Sequence, residues 1–159
     1  MRKIIMTAII SIITLGTKAQ NQLGWPQDTV VKYQNAFLQS NLPGFKIEFV
    51  GAARNEFKGI TLTYRSIGLD ENGEKSISYD AYVFDERDTL FKYIIYTDAM
   101  KELNIVNNLQ LNAAYYKIND HLLYSKNEDV KVTIETKKIN DGDWVIFTYI
   151  KKSTKTAFD

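Results

Sequence analysis

The feature that most narrows the fold is a period-two alternation of apolar and polar residues, recurring in short bursts from residue 45 to residue 150. Alternation sends successive side chains to opposite faces of an extended strand, so one face can be buried while the other meets water. Phe45, Ile47 and Phe49 oppose Lys46 and Glu48. Ile60, Leu62 and Tyr64 oppose Thr61, Thr63 and Arg65, and Ile77, Tyr79, Ala81 and Val83 oppose Ser76, Ser78 and Asp80. Between the last two runs, the Asn-Gly of Asp70-Glu71-Asn72-Gly73 supplies the positive φ angles of a hairpin turn. After the polar turn Asp85 to Asp88, Leu90 to Thr97 is apolar on both faces and is expected to lie centrally or to be covered on both sides. Tyr115 to Tyr124 reads as a tight hairpin about Asn119-Asp120, against a competing helix with apolar positions at 115, 118 and 122. Val130, Val132 and Ile134 alternate, Asn140-Asp141-Gly142 turns, and Trp144 to Ile150 returns.

Two segments follow another rule. Val30, Tyr33 and Phe37, with Val31, Gln34 and Leu38, have the three-four spacing of an amphipathic helix over 26–40. Pro26 suits its first turn, Asp28 and Thr29 complement its N-terminus, and Asn41-Leu42-Pro43-Gly44 stops it. Residues 98–112 are read as a short helix capped by Asp98, despite the poor helix formers Asn104, Asn107, Asn108 and Asn112. The predicted fold class is α+β: an N-terminal amphipathic helix packed on a curved antiparallel sheet, a meander of about seven to eight strands, in one domain over 26–152. Residues 20–25 read as a flexible leader and 153–159 as a polar C-terminal tail.

The first nineteen residues differ in kind. Arg2 and Lys3 precede an uncharged stretch from Ile4 to Gly16, and Thr17-Lys18-Ala19 places small residues where a signal peptidase reads. The stretch falls short of the roughly 20 apolar residues a membrane span needs. A signal peptide cleaved after Ala19 is expected, which places the protein in the periplasm or outside the cell. With no cysteine to acylate, the mature chain is not a lipoprotein and keeps no stable membrane anchor. Loss of Arg2, Lys3 and Lys18 leaves seventeen basic against nineteen acidic residues. A scattered, nearly neutral charge of this kind does not make a nucleic-acid surface.

The absence of cysteine and the single histidine exclude thiol nucleophiles, disulfides, Cys-ligated metals and multi-histidine metal sites within one chain. His121 stands beside Asp120, but no Gly-x-Ser-x-Gly elbow accompanies it, and it reads as the first residue of a strand. Asp85, Glu86 and Asp88 share one turn, and Asp141 and Asp143 flank another, as solvated acids do. Asp70 to Glu74 fails the spacing of a calcium loop, and neither a Walker motif nor Gly-x-Gly-x-x-Gly occurs. No cofactor, metal or catalytic residue is expected. Ten tyrosines, eight phenylalanines and two tryptophans remain as the distinctive chemistry, since tyrosine joins a large contact area to a polar tip. Tyr64 and Tyr79 fall on apolar faces, whereas Tyr82 shares its face with Asp80 and Ser78 and is expected at the surface. Tyr82, Tyr115 and Tyr116 are therefore the candidate binding residues.

The expected function is an exported non-enzymatic binding module that recognises a protein partner or a small apolar ligand through an aromatic-rich sheet face. The alternatives are a periplasmic inhibitor or immunity protein, a carboxylate-based hydrolase, and a small outer-membrane barrel.

Overall fold

The computed structural model describes residues 22–38, 44–69, 73, 75–98, 115–125, 129–140 and 142–151. The expected signal peptide 1–19, the body of the helix expected at 98–112 and the tail 153–159 lie outside these residues. The described chain forms one antiparallel sheet of eight strands with one short helix, α1 (Gln27–Leu38). The strands are β1 (Lys46–Arg54), β2 (Ile60–Leu69), β3 (Lys75–Phe84), β4 (Leu90–Asp98), β5 (Tyr115–Asn119), β6 (Leu122–Ser125), β7 (Val130–Ile139) and β8 (Gly142–Lys151). Asp98, expected as a helix cap, is the last residue of β4.

The spatial order is β1-β2-β3-β4-β8-β7-β6-β5. The first four strands form the expected meander, and Tyr115 to Ser125 is a hairpin rather than a helix. A continuous meander is not formed, because β8 and not β5 lies against β4. The apolar content of the strands explains the exchange. Val145, Ile146 and Phe147 are buried in succession, so β8 needs cover on both faces, as β4 does. Residues 116 to 119 of β5 are exposed and tolerate the rim. The sheet is open, with β1 and β5 at its two ends, so it lacks the closure that an outer-membrane barrel requires.

One face of this sheet is the core. Its centre is a row of buried rings across four neighbouring strands, Tyr64, Tyr82, Tyr93 and Tyr149, with successive centroids 5.8, 4.9 and 5.7 Å apart, and Phe49, half exposed on β1, caps the row 5.3 Å from Tyr64. Such pairs add about 0.5–1.5 kcal/mol each beyond the area they bury. Val132, Ile134, Val145 and Phe147 continue the face, and Val30 of α1 is fully buried with it. The side-chain amide of Gln34, one turn further along α1, donates to the Tyr82 hydroxyl.

Two expectations are corrected here. Tyr82 is only 2% exposed: the face it shares with Asp80 and Ser78 is the covered one, where its hydroxyl has a partner. Residues 22 to 25 are not a loose leader. Gln22 and Leu23 are buried, the Gly24 N–H donates to the Leu90 carbonyl at 2.7 Å, and the Leu90 N–H donates to the Trp25 carbonyl at 2.9 Å. These bonds tie the segment along the start of β4.

Candidate functional site

The opposite face of the sheet holds a cleft of about 810 Å³. Its floor is Ala81 and Val83 of β3 with Lys92 and Ile94 of β4. Alternation puts all four on this side, and the β3–β4 register pairs Ala81 with Ile94 and Val83 with Lys92. Ala81 is the smallest side chain of the row, so the sheet is hollow between Tyr79 and Val83. Tyr79, Tyr96 and Trp144 form an aromatic wall. Tyr79 sits directly across from Tyr96, and its ring centroid is 5.8 Å from that of Trp144. Trp144 can lie as it does because residue 142 is glycine: a Cβ there would stand 2.9 Å from the indole nitrogen.

The rim on the other side is the turn from Asn55 to Gly59, and the side chain of Asn55 organises it. Its Oδ1 accepts the N–H groups of Phe57 and Gly59 at 3.0 and 3.1 Å. Its Nδ2 donates to the Phe84 carbonyl at 2.9 Å and to Thr61 Oγ1 at 3.4 Å. The turn is thus anchored both to itself and to the end of β3. Gly59 makes the docking possible, since a Cβ at 59 would fall 2.1 Å from the Phe84 carbonyl oxygen. Phe57, held on this turn, lines the cleft and packs edge-on against Phe91 at 4.8 Å.

Charge is sparse within the cleft and concentrated beside it. Lys92 and Glu56 are the only charged lining residues among those described. Further along the same face, Glu48 on β1 bonds Lys46 at 2.7 Å and also bonds Arg65 across the strand pair. Those two cations hold the Glu48 carboxyl down at about 2.

No family model, curated protein or solved structure matches the chain.

The residues singled out by sequence fall in different places. Tyr82 is in the core, and Tyr115, at 4% exposure, is buried as well. Tyr116 is 44% exposed and stacks on Tyr124; it shares the cleft's face of the sheet but stands on the edge strand β5 and does not line the cleft. The structure does not bring the three together. The cleft aromatics Phe57, Tyr79, Tyr96 and Trp144 were missed as a set. The signal available for them was Tyr79-x-Ala81-x-Val83, an alternating row with a gap-making alanine at its centre.

The acids are also separated. Asp80 carries the raised pKa that a general acid needs, because burial penalises its charge, while hydrogen bonds from Tyr93 and Ser66 act in the opposite direction. It lies on the core face, where those two partners are hydroxyl groups and not a second carboxylate. Asp85 is a turn acceptor for the N–H groups of Arg87 and Thr89, and Asp120 pairs with Lys117. His121 is exposed in the β5–β6 turn, one residue before the strand it was expected to start. Among the described residues, no three His, Asp or Glu side chains converge as a metal site.

Proposed function

We propose that this chain is an exported, non-enzymatic binding module that holds a small apolar ligand in the cleft over Ala81. The observation that carries the reading is the cleft itself: an apolar floor, aromatic walls and few polar groups, with a volume of about 810 Å³. Small-molecule sites of roughly 300–1,000 Å³ are built in this way. Both rims support it, since Asn55 and Gly59 fix Phe57 on one side and Gly142 admits Trp144 on the other. The proposed site lies on the face of these strands opposite to Tyr82. The export part of the proposal rests on residues 1–19 and predicts a secreted chain that begins at Gln20, which the intact mass will show.

A neutral aromatic probe, 2-naphthalenemethanol, tests the cleft by calorimetry. It should bind the wild-type protein and fail to bind Ala81→Phe, which fills the floor, while circular dichroism shows the sheet intact. Equal binding by both proteins, or none by either, rules the reading out.

A further inference from the structure

Lys92 lines the cleft and has no counterion among the described residues. Its neighbours across the sheet are Val83 on β3 and Ile150 on β8, and the next residue of its own face is Ile94. Among the described residues it forms no ion pair. A lysine beside an apolar surface ordinarily lays its stem on that surface and keeps its ammonium in water. Lys92 is half-buried and lines the cleft, so part of the water around its side chain is that of the cleft. An apolar ligand seated over Ala81 would displace that water and leave the ammonium unsatisfied, at a cost that an anionic group on the ligand removes.

A second donor stands in the same row. Thr61 on β2 is paired with Val83, which is paired with Lys92, so Thr61 and Lys92 flank Val83 on the cleft face. Neighbouring strands lie roughly 4.8 Å apart, which puts the two backbones about 10 Å from each other. Both side chains line the cleft, one on each side of Val83, so an anion held at this end of the cleft faces both. Thr61 Oγ1 already accepts from Asn55 Nδ2, which leaves its own O–H to donate.

We infer that the ligand is a small amphipathic anion, whose apolar body lies over Ala81 against Tyr79, Tyr96 and Trp144 and whose single negative group sits over Val83 between Lys92 and Thr61. The inference rests on the cleft being a ligand site and adds the charge of the ligand and the residues that read it. Glu56, the one acid among the described lining residues, is exposed on the turn that Asn55 bonds to Thr61, so it stands at the same end of the cleft and opposes a second negative group there.

The test compares 2-naphthoate with 2-naphthalenemethanol, and decanoate with decanol, by calorimetry on protein purified from cells expressing the full-length reading frame. Each anion should bind at least about tenfold more tightly than its alcohol, as a charge-assisted hydrogen bond provides. Lys92→Met should erase that preference while keeping the affinity for the alcohols, and Thr61→Val should reduce it. Equal affinity of anion and alcohol for the wild-type protein overturns the inference and leaves the cleft reading standing. A preference for the anion that survives in Lys92→Met overturns it too. If no probe binds, both readings fail together.

Discussion

Among the described residues, Asp80 is the only buried carboxylate. Burial raises its pKa above the ordinary 3.8 and outweighs the hydrogen bonds from Tyr93 and Ser66. Between 3.8 and that higher folded value the folded chain holds a proton that the unfolded chain has released, so stability falls as pH rises through this window. Glu48 works in the reverse sense: its carboxyl is depressed from 4.5 to about 2, so its contribution is present above 4.5 and is lost as pH falls toward 2. Asp80→Asn should therefore flatten the decline of stability above about pH 4 and leave the acid limb in place, as read from urea midpoints across pH. An unchanged slope would show that Asp80 does not carry it. The same residue explains a misreading. Asp80 and Ser78 mark a strand face as solvent-facing when only the sequence is in view. The partners of Asp80, Ser66 on β2 and Tyr93 on β4, come from other strands, so the compensation that lets it be buried is invisible along β3 alone.

At the scale of elements, the β1–β2 turn depends on one side chain. Asn55 makes four hydrogen bonds in a partly buried turn, two to the turn and two to its neighbours. Asn55→Ala should lower stability by about 1–3 kcal/mol in urea denaturation, the usual penalty for leaving such groups unpaired. Asn55→Asp keeps the acceptor and should lose less. Because the turn positions Phe57, both variants should also weaken binding of 2-naphthalenemethanol; unaltered binding would separate the turn from the cleft. The strands and hairpins here were legible because each is specified locally, by alternation and by turn residues such as Asn140, which takes a positive φ of 46°. The tethering of residues 22–25 was not legible. Gly24 and Trp25 carry no period, and what orders them is the backbone of Leu90, a partner far away in sequence.

On the scale of the whole molecule, the decisive contact is the seam between β4 and β8, where Tyr93 meets Tyr149 and Ile95 meets Phe147. It joins two local meanders, residues 46–98 and 115–151, into one sheet. Native-state hydrogen exchange should find the slowest amides in β3, β4 and β8 and the fastest in the edge strands β1 and β5. Equal protection in β5 and β4 would contradict the strand order. That order escaped the sequence because period two assigns faces and not neighbours; the apolar run in β4 announced a central place without naming β8 as its partner. The cleft straddles this seam, with Phe57 supplied by the first meander and Trp144 by the second. No cysteine is present to join the halves covalently. On the proposed reading an occupant of the cleft acts as a removable staple, and by mass action one at a hundred times its dissociation constant adds about 2.7 kcal/mol against the two halves parting.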